Sequence, residues 1–234
     1  MGESLDFLFS GHDEALMAFI NSVNIACGFH AGSQEIMERT IENAHKYDLN
    51  IGAHPGFDDK PNFGRNEMEL SFAEVKELVS AQLLIIDKVL KAKGIKMNHV
   101  KPHGALYNMS AKNTEYARAI AEAVYEFDND LILFGLSGSV SISEAQKKGL
   151  KTYAECFADR SYQSDGSLAN RSLPNALKSD IEDIKKQTHS LVNGSAINTL
   201  DGRLIELQCD TICIHSDTPN AIEFAKAIYD VVNS

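Results

Sequence analysis

Apolar residues recur along the chain in two alternating patterns, short unbroken runs and longer stretches spaced by three and four, so strands and helices are expected to take turns. Residues 1–10 show no clear element. Residues 13–21 read as a helix with Leu16, Met17, Phe19 and Ile20 on one side, and 23–27 as a short apolar strand. Gly28-Phe29-His30-Ala31-Gly32 then turns the chain into a helix whose apolar face is Ile36, Met37, Ile41 and Ala44. A strand at 50–53 runs directly into His54-Pro55-Gly56-Phe57. The polar loop after it, 58–70, is long for a strand-to-helix connection, which makes it a candidate lid or binding loop. Ser71 with Glu74 three residues on forms a capping box for a long amphipathic helix through 78–90, closed by Gly94.

Residues 96–101 have strand length and stop at Pro102. A helix at 114–127, a strand at 131–136, a short helix opened by Ser137-Gly138-Ser139 and closed by Gly149, and a strand at 151–156 follow. Phe157 begins a long polar loop that continues through Asn170 and Arg171. Ser179 and Glu182 form a second capping box, for a helix ending near Gly194, and Asp201-Gly202 reads as a hairpin turn. The last strand is 211–214, and Thr218-Pro219 has the N-cap and N1 chemistry to open a terminal helix carrying Ile222, Ala225 and Ile228.

This alternation implies a parallel sheet with helical crossovers. His30, His54, Lys101, His103, Asp159, Arg160, His215 and Asp217 follow five different strands. A closed sheet brings them all to one mouth, whereas an open sheet concentrates ligands at one switch point, so a barrel is preferred. With no repeat, low-complexity run or linker, residues 1–234 are expected to form a single (β/α)-barrel domain.

A net charge of -11 and a pI near 5.1 oppose a polyphosphate partner, so no nucleic acid is expected. No apolar run reaches the roughly 20 residues of a membrane helix, and Met1-Gly2-Glu3-Ser4 has no basic region leading into a cleavable apolar one. A cytoplasmic protein with no membrane partner is expected. Cys27, Cys156, Cys209 and Cys213 lack close CxxC spacing and are read as buried reduced thiols.

A lysine that ends a buried strand at Lys101, next to Pro102 and His103, is the sharpest chemical signal. A lysine snorkelling to solvent is the plain alternative for that pair taken alone. Four histidines at strand ends carry more weight, since imidazole moves protons near neutral pH or binds divalent metals, and lysine or arginine beside it suits a carboxylate or phosphate. No Walker loop, GxGxxG, GxSxG or HExxH is present. The pattern alone therefore indicates a polar site at a barrel mouth, suited to hydrolysis or group transfer.

Five blocks resemble the LamB/YcsF family nearly end to end: Asn24-Ile25-Ala26-Cys27-Gly28-Phe29-His30-Ala31-Gly32; Ile51-Gly52-Ala53-His54-Pro55; Asn62-Phe63-Gly64-Arg65; His99-Val100-Lys101-Pro102-His103-Gly104 with Leu106-Tyr107-Asn108; and Phe157-Ala158-Asp159-Arg160 with Tyr162-Gln163 and Asp165-Gly166-Ser167-Leu168. The resemblance implies an irregular (β/α) barrel of seven-stranded type, related to polysaccharide deacetylases. It also implies the role of the A subunit of 5-oxoprolinase, which opens the 5-oxo-L-proline lactam to L-glutamate with ATP, implied Mg2+ and partner subunits B and C. Relatives usually carry a strand with Asp-x-Asn-x-Asp ahead of Met-Gly-Glu-Ser, so this barrel is expected to lack the family's first strand. His215-Ser216-Asp217 stands where relatives often have His-Gly-Asp.

On that reading Lys101, His103, His54 and Asp159 are the catalytic candidates. Arg160, Arg65, Asn24, His30 and His215 are candidates for binding substrate or phosphate. Two alternatives stand beside it: a metal-dependent amide hydrolase of deacetylase type with His30 and His54 as ligands, and a non-catalytic scaffold that binds the lactam.

Overall fold

The computed structural model describes residues 1–3, 10–216 and 220–234, the side chains of 10–12 excepted. It divides into two compact units, the first comprising Met1–Gly135 and Ser139–Thr152 and the second Leu136–Gly138 and Tyr153–Ser234.

In the first unit α1 (Ser10–Met17) leads to β1 (Ser22–Ala26), α2 (Gln34–Lys46), β2 (Asn50–His54), α3 (Phe72–Ala92), β3 (His99–Val100), α4 (Gly104–Ser110), α5 (Thr114–Phe127), β4 (Ile132–Leu136) and α6 (Val140–Lys148). The strands are parallel, with Ala26 opposite His54, Gly52 opposite His99 and Val100 opposite Leu133. Parallel neighbours need long crossovers, which the helices supply. Covered on both faces, β4 is buried along its whole length and β2 at every position after Asn50, as a near-continuous apolar run requires. Ile25, Ile41, Val79, Leu83, Ile86, Leu106, Ile120 and Val124 fill the core between sheet and helices. No strand precedes β1 among the described residues. Met1 lies beside it instead, giving its N–H to Asn24 O and taking one from Ala26 N–H, which brings Glu3 to the strand's C-terminal end.

In the second unit β5 (Lys151–Phe157) pairs in parallel with β8 (Thr211–Cys213), with Cys156 opposite Ile212. Between them come α7 (Ile181–Val192) and an antiparallel hairpin of β6 (Ile197–Asn198) and β7 (Leu204–Ile205) at the Asp201-Gly202 turn; α8 (Ala221–Val232) ends the chain. Ala158, Ile184 and Phe224 form its small core. Parallel strands joined by helical crossovers are the plan of the expected irregular (β/α) barrel class. Among the described residues no helix is long and apolar enough to cross a membrane.

Several boundaries differ from expectation. The 96–101 strand contracts to His99–Val100, the two residues that find a ladder partner on β2. The short α4, hidden in the sequence behind Pro102 and Gly104, follows at once. Ser71 and Glu74 do form the expected capping box, but α7 is capped by Asp180, whose carboxylate accepts from Glu182 N–H and Asp183 N–H, and not by Ser179. A carboxylate also complements the positive end of the helix dipole, an advantage serine lacks. All four cysteines are free thiols, but Cys209 and Cys213 are half-buried rather than buried. Asp217 and the Thr218-Pro219 start lie outside the described residues, as does most of the 1–10 stretch.

Gln82, fully buried on α3, fastens the chain after β2: its Oε1 accepts from Gly56 N–H at 2.9 Å and its Nε2 donates to Gly56 O at 2.8 Å. Gln82→Leu leaves both Gly56 groups buried without a partner, and the stability of the chain is expected to fall by about 2–4 kcal/mol. Guanidinium unfolding reads this out, and a loss below about 0.5 kcal/mol shows that the clamp is dispensable.

Candidate active site

The first unit gathers Glu3, His30, His54 and His103. His54 closes β2, His30 follows the turn after β1, and His103 is the N-cap residue of α4, just beyond the end of β3. All three histidines are buried or nearly so. The rings of His30 and His103 stack with centroids 3.9 Å apart and 6° between planes, and His54 meets His103 edge-on at 4.9 Å. Such packing demands neighbours without side chains. A Cβ on Gly56 would stand 2.7 Å from His30 Nδ1, and one on Gly64 would stand 2.8 Å from His30 Cβ; Gly64 also has a φ of +61°, which disfavours any other residue.

Backbone carbonyls fix how two of the rings point. His54 Nδ1 lies 2.7 Å from Lys101 O, and His103 Nε2 lies 2.8 Å from Phe63 O. A carbonyl only accepts, so each of these nitrogens carries the proton and the other nitrogen of each ring presents a lone pair. Those two, His103 Nδ1 and His54 Nε2, face each other at 3.1 Å. Glu3 Oε1 is 3.5 Å from the first, 3.9 Å from the second, and accepts from His30 Nε2–H at 3.3 Å. His30 Nδ1 has no hydrogen-bond partner among the described residues.

The electrostatics agree with neutral rings around a charged carboxylate. Burial first, then the neighbouring His103, pushes His54 well below the ordinary imidazole range. Burial and His30 bring His103 down to about 4. Burial opposes the charge on Glu3, but the Met1 amino group, the His30 hydrogen bond and the other two histidines together hold its carboxyl well below the usual range. Glu3, His54 and His103 have donor atoms all within 4.8 Å of one another and could hold a metal ion.

Lys101 is buried, with Nζ 5.6 Å from the centre of the Tyr107 ring. Asn24 is engaged by His99: its Oδ1 lies 3.0 Å from His99 Nε2, the other ring nitrogen lies 3.1 Å from Asn98 Oδ1, and the His99 ring stacks on Phe134 at 4.2 Å. Burial, with Lys101 near, lowers His99 to about 3. Arg65 is exposed, with its guanidinium 4.9 Å from the Phe63 ring.

In the second unit Asp159, buried at the end of β5, accepts from His215 Nδ1–H at 3.0 Å, and its Oδ1 has no partner among the described residues. Arg160 is also buried; its Nη2 donates to Ala169 O at 2.6 Å and its Nε has no partner there. Gln187 holds this turn by donating to Phe157 O and Arg160 O, both at 2.8 Å.

Glu3 is the residue that sequence reasoning missed. The available signal was the carboxylate in Met1-Gly2-Glu3-Ser4, a stretch in which the apolar pattern shows no element. His99 sits in a family block with no role that spacing could suggest, and in the fold it holds Asn24.

The LamB/YcsF family model matches residues 1–234. The chain is 44% identical over 230 residues to the A subunit of 5-oxoprolinase from Bacillus thuringiensis subsp. konkukian, which covers 98% of this chain and 91% of that one. It is also 44% identical over 228 residues to the A subunit of 5-oxoprolinase from Shouchella clausii, covering 97% and 90%. Among solved structures, a lactam utilization protein from Thermus thermophilus superposes with a TM-score of 0.93 at 40% identity, covering 100% of this chain and 93% of that one.

Because His30 is wedged between Gly56 and His103, Gly56→Ala is expected to overpack the ring stack and cost about 1–3 kcal/mol of stability. Denaturant midpoints of variant and parent measure this. An unchanged midpoint shows that the ring has room to move.

Proposed function

The chain belongs to the LamB/YcsF family, and from that premise we propose that it is the A subunit of an ATP-dependent 5-oxoprolinase, working with subunits B and C to open 5-oxo-L-proline to L-glutamate. The observation that carries this reading is the near full-length similarity to relatives of that name, joined to a buried lysine and an imidazole and carboxylate cluster at adjacent strand ends.

A lactam resists water because its nitrogen is a poor leaving group and its carbonyl is resonance-stabilised. ATP removes that obstacle: the amide oxygen attacks the γ-phosphorus and ADP departs, water adds to the activated carbon, the ring C–N bond breaks with protonation of nitrogen to leave an acyl phosphate, and a second water hydrolyses that to the carboxylate and free phosphate. For this chain's own residues, the reading assigns Lys101 to the substrate carboxylate or the transferred phosphate, where a buried ammonium counts for more than one at the surface. His54 Nε2, His103 Nδ1 and the Glu3 carboxylate are assigned to holding and orienting the attacking water. In the second unit Asp159 orients His215, and Arg160 is assigned to anion binding.

Two measurements test this. Glutamate release from 5-oxo-L-proline and ATP is expected from the reconstituted three-component complex and to be negligible with this chain alone; robust turnover by the single chain refutes the dependence on partners. Within the complex, Lys101→Ala is expected to lower the rate by two or more orders of magnitude, about 3 kcal/mol of transition-state stabilisation, with the fold retained by circular dichroism. A folded variant with near-normal turnover removes Lys101 from the reaction.

A further inference from the structure

Three hydrogen-bond acceptors converge at the end of β2 with no donor among them. His54 Nδ1–H is committed to Lys101 O and His103 Nε2–H to Phe63 O, so neither neutral ring has a proton to offer the other across 3.1 Å. Glu3 Oε1 adds negative charge 3.5 and 3.9 Å away, and the hydrogen bond it accepts comes from His30 on another side. Facing lone pairs beside a carboxylate repel unless a cation lies between them.

We propose that Glu3 Oε1, His54 Nε2 and His103 Nδ1 together bind one divalent transition-metal ion, with Zn2+ the best match, leaving its remaining positions to water or substrate. The spacing fits. For a triangle with edges of 3.1, 3.5 and 3.9 Å, the point equidistant from the corners lies about 2.05 Å from each atom, against roughly 2.0–2.2 Å for zinc bonded to histidine nitrogen or carboxylate oxygen. The donor set fits too. Two imidazoles and one carboxylate suit zinc and its transition-metal neighbours better than magnesium or calcium, which prefer all-oxygen shells, and three protein ligands are the number found in zinc sites that keep a position open.

The supporting contacts are those a metal site needs. Metal-bound histidines characteristically donate their other N–H to a carbonyl or carboxylate, which fixes the ring and makes the ligand more basic, and both rings do so here. His30, which the sequence offered as a ligand, takes a different place: its Nε2–H holds the Glu3 carboxylate and its face packs on His103. A water on such an ion is more acidic than free water, so the ion supplies the site with its nucleophile.

Ring orientation supports the ion site independently of the lactam reading, so the test is made on the full chain without partners. Protein stripped with EDTA is titrated calorimetrically with ZnCl2 and MnCl2. The expected result is one Zn2+ per chain, with affinity reduced roughly 100-fold or more in His103→Ala and in Glu3→Gln and unchanged in His189→Ala, an exposed histidine on α7. X-ray absorption of the zinc-loaded parent should show two imidazole nitrogens and one carboxylate oxygen at about 2.0–2.2 Å. If His103→Ala fails to fold, Glu3→Gln, at a partly exposed position, and the absorption spectrum still decide the matter. The proposal is overturned by absence of saturable binding, by affinities equal to the parent in the variants that fold, or by NMR showing a proton on His54 Nε2 in the zinc-treated chain. A complex that opens the lactam after exhaustive chelation keeps the proposed reaction while removing the ion from it. A chain that binds zinc in a complex inert toward the lactam does the reverse.

Discussion

Two backbone carbonyls, those of Lys101 and Phe63, each grip the edge of an imidazole, and the direction in which the first unit's histidines present their lone pairs depends on that grip. A histidine free to rotate offers either nitrogen and either tautomer; one whose N–H is claimed by a carbonyl offers a single lone pair in a single direction. Both carbonyls belong to segments that leave the sheet, one at the end of β3 and one in the loop after β2, and both segments are fixed by hydrogen bonds to neighbouring backbone: Lys101 N–H to Ala53 O, His103 N–H to Pro55 O, Ala105 N–H to Gly64 O. The direction of the lone pairs is therefore inherited from strand register. A slip of β3 against β2 would move Lys101 O away from His54.

Burial makes this arrangement consequential. In bulk water facing lone pairs would each find a solvent proton; buried beside Gly56 and Gly64, the rings resist protonation. The small residues at 56 and 64 let the rings approach, and the rings in turn leave no volume for larger residues there. Gln82 secures one side of this wall from beneath, through a helix whose own start is set by the Ser71 and Glu74 capping box.

Much of the architecture was legible in the sequence because it rests on local rules. Alternating apolar runs gave the parallel strands and their crossovers, Ser71 and Glu74 the start of α3, Gly149 the end of α6, and Asp201-Gly202 the hairpin. The errors came where two local choices were nearly equal or where an element was too short to show a period: Ser179 beside the better cap Asp180, and α4 with barely two turns. Which histidines lie at strand ends could be read from spacing, and family resemblance added to it. The contact of His103 with Phe63 O has no trace in the sequence, because it joins residues 40 apart through a loop that follows no periodic rule. Glu3 was similarly hidden, since it enters by lying beside β1 through Met1 rather than through an element of its own.

Glu3, His30, His54 and His103 all precede residue 104, and the unit that holds them is complete in sequence at Thr152. On a ribosome that adds roughly 5–20 residues per second, the remaining 82 residues take about 4–16 seconds to follow. Glu3 and the three histidines are thus synthesised before Asp159 and Arg160, which come soon after Thr152, and well before His215. The order of translation therefore puts every member of the cluster into the chain before the second unit has been made.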